Sequence, residues 1–303
     1  MEMRKGFTLI ELVVAVAILA MVISFSTIVF KVSIKAQRIA SANMEIMQKM
    51  RAITDQLNAD FKGFMANAPG KIRFLREAKS YEDNKLHYLS SDASNTKTVS
   101  EDSILFFASG DFQSTGQYQY NEPSGPKTKT VTGTAACVYY GLAEVDGTDI
   151  LDPKQKVLVR RQTILTGDEN WDILHELTAK EEYSIKSLAE ELAVLTMADV
   201  NALMEKVVLD LDDANDLAMY NDLAMYMAKG VDDFTIQYVG EEDPLKDDME
   251  FNEWRPTNKH LEADPDWPEI LMPVALKFSF TIYDSRGVIK KGRRFTHIVY
   301  LED

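Results

Sequence analysis

The 303-residue chain has few of the residues that carry most protein chemistry. It has one cysteine, Cys137, and four histidines, His87, His175, His260 and His297, scattered among unrelated segments. A single cysteine excludes an internal disulfide and a multi-thiolate metal site. No H-E-x-x-H, G-x-S-x-G, P-loop or C-x-x-C pattern occurs, so no catalytic signature is available to follow. Proline and glycine are absent from Phe7 to Lys62, so nothing there interrupts a helix. Cations are outnumbered, 33 Lys and Arg against 48 Asp and Glu, for a formal net charge of -15 at pH 7. Arg4 and Lys5 balance Glu2 and Glu11 within residues 1–30, so the whole deficit belongs to the remainder. Such an acidic surface argues against binding nucleic acid or anionic lipid through that part.

A long apolar run is present at the start. From Phe7 to Phe30 the only ionisable side chain is Glu11. At about 1.5 Å per residue a helix of that length spans a bilayer hydrocarbon core of about 30 Å. An acid four residues into such a helix is unfavourable without a partner, and by default it marks function. A secretory signal would have a shorter apolar region with small residues at its end, whereas the Ala15-x-Ala17 pair lies deep inside this one. A plain single-span anchor explains the length but neither Gly6 nor Glu11. Counting charge does not orient the span, because Lys31, Lys35 and Arg38 slightly outnumber Arg4 and Lys5.

The contiguous Lys5-Gly6-Phe7-Thr8-Leu9-Ile10-Glu11 resembles the class III leader of type IV pilins and type II secretion pseudopilins. The resemblance implies that a prepilin peptidase on the cytoplasmic side cuts after Gly6 and methylates the new N-terminus, Phe7. It also implies that Glu11 makes an assembly contact. The N-terminus would then be cytoplasmic and the C-terminal part periplasmic, with one pass through the inner membrane.

After Phe30 the pattern turns amphipathic. Ile39, Ile46, Met50, Ile53, Leu57, Phe61 and Phe64 recur at helical steps, with Lys49, Arg51, Asp55 and Lys62 between them. One helix is expected from about Phe7 to about Phe64, ended by Pro69-Gly70. Residues 1–6 then form the leader, 7–30 the transmembrane helix, 31–64 the amphipathic half of the spine and 70–303 a β-rich domain. Many major pilin subunits carry a helix-kinking proline in this region, and its absence around Ile28 fits a minor subunit. Strands are expected over Ile104–Ala108, Ala136–Leu142, Val157–Leu165, Phe234–Val239, Val274–Tyr283 and Phe295–Leu301. A glycine turn, Asp284-Ser285-Arg286-Gly287, joins the last two. Residues 90–100 and 114–133 read as loops. Cys137 reads as a small buried hydrophobe.

Residues 166–230 differ from their surroundings, with fifteen acids against four lysines and no arginine. Thr178/Glu181 and Thr196/Asp199 are spaced as helix caps, and Asn215–Tyr220 repeats as Asn221–Tyr226. An acidic helical insert is expected there, removable between Gly167 and Lys229 without unfolding the domain. The fold class is therefore α+β, a long helical spine packed on an antiparallel sheet with a helical insert.

The soluble part resembles the J-type minor pseudopilin in the order of its strands. Cys137-Val138-Tyr139-Tyr140 leads to Leu158-Val159-Arg160-Arg161, then Val231 to Tyr238, Trp254, Pro273 to Leu276, and Arg294-Phe295. The W-type minor pilin that primes pilus assembly shares this run. The resemblance implies assembly without catalysis, a membrane location, and partnership with I-type and K-type minor pseudopilins and the major pseudopilin. A protein of another class, an exported binding protein or enzyme using the leader as an anchor, would need a catalytic constellation. The clusters Asp210–Asp216 and Asp243/Asp247/Asp248/Glu250 have oxygen ligands of the type calcium takes. The first lacks the glycine and distal glutamate of an EF-hand, and both read equally well as solvated faces. No cofactor or metal is expected, and Trp254 and Trp267 read as packing over the sheet.

Overall fold

The computed structural model describes residues 9–65, 72–81, 97–114, 118–145, 152–167, 183–184, 208–209, 226–240, 254–256 and 273–301. Among the described residues one helix, α1 (Leu9–Lys62), is followed by thirteen strands. These are β1 (Ile72–Tyr81), β2 (Lys97–Gln113), β3 (Tyr118–Glu122), β4 (Gly125–Lys129), β5 (Thr132–Val145), β6 (Val157–Leu165) and β7 (Tyr183–Ser184). They continue with β8 (Val208–Leu209), β9 (Tyr226–Lys229), β10 (Val231–Gly240), β11 (Arg255–Pro256), β12 (Pro273–Ile282) and β13 (Arg293–Tyr300). The architecture is α+β, as expected.

Two largely antiparallel sheets carry the domain. The first runs β1-β2-β5-β6-β7, with β8 on β5 and β9 on β6; the second runs β11-β10-β12-β13. Their seam is polar but fully paired. Lys156 Nζ, 8% exposed, lies 2.7 Å from Glu101 of β2 and 2.7 Å from Asp232 of β10. Asp102 of β2 accepts a hydrogen bond from the Ile236 amide of β10 at 2.7 Å. Burial alone would pull the Lys156 ammonium down, but Asp232 and Glu101 outweigh it and raise its pKa.

The second half of α1 lies across both sheets. Phe61 stacks on Phe106 of β2 with centroids 4.1 Å apart and tilts against Phe278 of β12 at 5.7 Å. Ile46, Ile53, Leu57 and Phe61 are buried in the same core as Phe106, Tyr140, Phe234, Phe278 and Phe280. The expected stripe is thus the docking face from Ile46 onward, while Ile39, 40% exposed, stands clear of the domain. The helix ends earlier than expected. Gly63 follows Lys62, and a Cβ there would sit 1.9 Å from the Ser109 carbonyl oxygen, so the chain can pass β2 only as glycine. Ser109 and Met65 amides then bond the Gly63 and Phe107 carbonyls at 2.6 and 3.0 Å. Pro69-Gly70 lies outside the described residues.

Strands appear at all six expected places, most of them longer than expected. Three stretches differ. β1 was not expected and pairs along its whole length with β2, and residues 97–100, read as loop, belong to β2. Residues 118–129, also read as loop, form the β3–β4 hairpin. Within the acidic insert, Val208 was read as helical but pairs in parallel with Glu144. Tyr226, the end of the hexapeptide repeat, begins β9, which pairs with β6 and buries Ala228. Most other residues of the insert, including Thr178/Glu181, Thr196/Asp199 and Asp210–Asp216, lie outside the described residues.

Candidate functional site

The feature that sets this molecule apart is a helix with two different environments along its length. Over 54 residues α1 is about 81 Å long. Its first buried residue is Ala42, and everything from Leu9 to Ser41 is exposed. That free part is about 50 Å of helix. It exposes a long run of large apolar side chains, from Leu9 (81% exposed) through Phe25 to Phe30 (69%). A continuous apolar surface of this size is not stable in water and calls for lipid or other helices around it. The few polar side chains in the run are satisfied locally. Ser24 Oγ and Thr27 Oγ1 donate to the carbonyls of Ala20 and Ile23 at 2.8 and 2.9 Å, as hydroxyls do inside a membrane helix.

Glu11 lies in the first turn of α1 and is exposed. At a helix N-terminus its negative charge meets the positive end of the macrodipole. Gly6 and Phe7 lie outside the described residues. The apolar helix is thus the only candidate membrane span among the described residues. Lys31, Lys35 and Arg38 are exposed between the apolar run and the docked half.

Three polar clamps fix the docked half, and none was singled out from the sequence. Near its start Glu45 pairs with Lys49 at 2.9 Å and accepts from the Ser285 amide and hydroxyl at 2.9 and 3.0 Å. Lys49 Nζ also donates to the Tyr283 carbonyl at 3.1 Å. Partial burial works against the Glu45 carboxylate, but bonds from Lys49 and Ser285 win and hold its pKa below the usual value. Farther along, Asn58 meets His297 at 2.8 Å, and burial lowers the His297 pKa despite Asp55 nearby.

The third clamp is buried. Arg160 of β6 grips Asp60 of α1 with two bonds, Nε to Oδ2 at 2.6 Å and Nη2 to Oδ1 at 2.7 Å. Tyr140 of β5 donates its hydroxyl to the same carboxylate, and Gln56 donates to it at 3.0 Å. Burial pushes the Tyr140 pKa well above its ordinary value, and the adjacent Asp60 charge adds to that. The Arg160 pKa is also raised, since the bonds to Asp60 overcome its burial. Asp60 itself was the sequence clue, an acid set into the apolar stripe between Leu57 and Phe61.

The three clamps fix the position of α1 on the domain. Among the described residues no three His, Cys, Asp or Glu side chains gather as a metal site would. Cys137 is a buried thiol. Trp254 lies over β12, with Lys277 Nζ 4.5 Å from its ring centroid, so it packs on the sheet as expected. The other three histidines, Trp267 and both acidic clusters lie outside the described residues.

Residues 1–27 match the family model described as the prokaryotic N-terminal methylation motif. No curated protein and no solved structure matches the chain. The matched motif runs from the leader through the exposed, apolar half of α1, so the chain carries a pilin-type leader on a single membrane-anchoring helix.

Proposed function

We propose that this protein is a minor pseudopilin of a type II secretion system. It is held in the inner membrane by α1, with its N-terminus cytoplasmic and its domain periplasmic, and enters a short pseudopilus at or near the tip. One observation carries the reading: a methylation-motif helix stands free for about 50 Å and is then clamped rigidly to a bulky domain. A prepilin peptidase cuts after Gly6 and methylates Phe7. Within lipid the Glu11 carboxylate is stable beside a cation, and the amine of Phe7 on a neighbouring subunit supplies one. At about 4 Å and an effective dielectric near 20 that attraction is about 4 kcal/mol, enough to set one helix against the next. The neighbours are I-type and K-type minor pseudopilins and the major pseudopilin.

Mass spectrometry of the membrane-extracted protein tests the first step, and an N-methylated Phe7 is expected. An intact Met1, or a cut after Ala17, is incompatible with the reading. Glu11→Leu tests the second. The variant should insert in the membrane normally but co-purify poorly with the other pseudopilins; undiminished co-purification and secretion would rule out the pairing.

A further inference from the structure

The domain is acidic as a whole, yet one of its loops is the opposite. From Ser285 to Leu301 there is no Asp or Glu, and five cations fall within nine residues: Arg286, Lys290, Lys291, Arg293 and Arg294. All five are exposed. Arg294 pairs with Asp233 at 3.0 Å, whereas Arg286, Lys290, Lys291 and Arg293 form no ion pair among the described residues. Asp284, at the root of this loop, is buried and spent on the loop itself, accepting from the Val288 and Ile289 amides at 2.8 Å each, and the nearby Glu45 is bonded to Ser285 and Lys49. Lys154 approaches the same loop at Gly287, where an added Cβ would lie 2.8 Å from its Nζ.

The position of the loop gives the patch its meaning. It joins β12 to β13 and is bonded to Glu45 and Lys49, close to the first buried residue of α1. It therefore sits at the end of the domain nearest the apolar run. The α1 cations share its side of the helix. At about 100° per residue, Lys31, Lys35 and Arg38 fall within about 80° of Glu45 and Lys49 around the axis. Three cations on the free helix, three on the loop (Arg286, Lys290 and Lys291) and two at the start of β13 thus gather at the end of the domain nearest the apolar run. From Phe30 to Glu45 is about 22 Å along an upright helix, and the headgroup layer fills roughly 5–8 Å of that. A tilt of about 40° toward this face, the upper end for a membrane helix, lowers a loop about 10 Å off the axis by about 12 Å, and long cationic side chains close the remaining few ångströms.

We propose that this face binds the phosphates of anionic lipids and holds the resting subunit tilted against the membrane. The expectation that the domain avoids anionic lipid rests on its net charge, which does not describe this one loop. The inference rests on α1 spanning a bilayer but not on the pseudopilus or on the direction of insertion. An acidic protein is the less favoured occupant, because the helix cations continue the patch directly to the bilayer surface.

The test uses the full chain reconstituted in vesicles of phosphatidylcholine alone and of an equal mixture with phosphatidylglycerol. Lysine acylation is followed by mass spectrometry, with the exposed Lys129 of the β3–β4 hairpin as the internal control. One cation at an anionic surface is worth a factor of about five. Lys290 and Lys291 should therefore label at least about fivefold more slowly in the mixed vesicles, with Lys129 unchanged. High salt should erase the difference, and Arg286→Gln combined with Arg293→Gln should reduce it. Equal labelling in the two vesicles, with the chain retained after alkaline extraction, overturns the patch alone. Loss of the chain on extraction overturns the anchoring as well. Slowing in phosphatidylcholine that grows with protein density assigns the patch to an acidic protein and overturns the lipid reading.

Discussion

The carboxylate of Asp60 connects the spine to the sheet, through a contact between residues a hundred positions apart. Removing one member of a buried ion pair leaves the other charge unpaired, whereas replacing the set with apolar groups of similar volume is often neutral. Arg160→Met should therefore lower stability by roughly 3 kcal/mol. The triple change Asp60→Leu, Arg160→Met and Tyr140→Phe should recover most of that loss, as read by urea midpoints of the soluble domain. A milder change isolates the titration. The Tyr140 and Lys156 pKa values are both raised in the folded protein. Their contributions are present in full below the unfolded values, about 10 for both, and are lost as pH rises toward the folded ones. Stability should hold from neutral pH to about pH 10 and then fall, and Tyr140→Phe should make that fall shallower.

At the scale of elements, legibility in the sequence followed burial. The docked stripe and strands such as Val157–Leu165 bury one regular set of side chains, so their periodicity was visible. The β3–β4 hairpin pairs only with itself, and β4 is exposed, so no apolar alternation marked it. β1 pairs along its whole length with β2, a partner that only the fold brings beside it. The end of α1 was written in Gly63, but that glycine acts through Ser109, which only the fold brings near. The clamps were illegible for the same reason: Ser285, His297 and Arg160 lie far from α1 in sequence. Strand β9 also revises the expected deletion. Removing Gly167 to Lys229 takes out Ala228 and the pairing with β6, and should destabilise the domain. A deletion that spares β9 and stops at residue 225 removes, among the described strands, only the two-residue β7 and β8 and should be better tolerated, because a shorter connection changes closure entropy only slightly. Thermal unfolding of the two variants compares them directly.

For the whole molecule, the helix and the domain make opposite demands. A protein starting near Ser41 drops the exposed apolar half and keeps every buried residue of α1, so it should be soluble and monomeric. It should bind the equivalent fragment of an I-type or K-type subunit. The insert carries a net charge of -11, from fifteen acids and four lysines, and should disfavour contact between copies at low salt, an effect screened beyond about 10 Å at 0.1 M. Electron microscopy of the full chain expressed alone should show no uniform filaments. Their presence would contradict the tip position.

Cys137 has a practical consequence of its own. It is the only thiol in the chain and lies sealed within β5, 3% exposed. Reagent can reach it only when the first sheet opens, so the native protein offers almost no background to a maleimide probe. A cysteine introduced at an exposed site can then be labelled without first removing the natural one. The two thiols of such a variant would report separately, one on the surroundings of the chosen site and the other on the opening of the sheet.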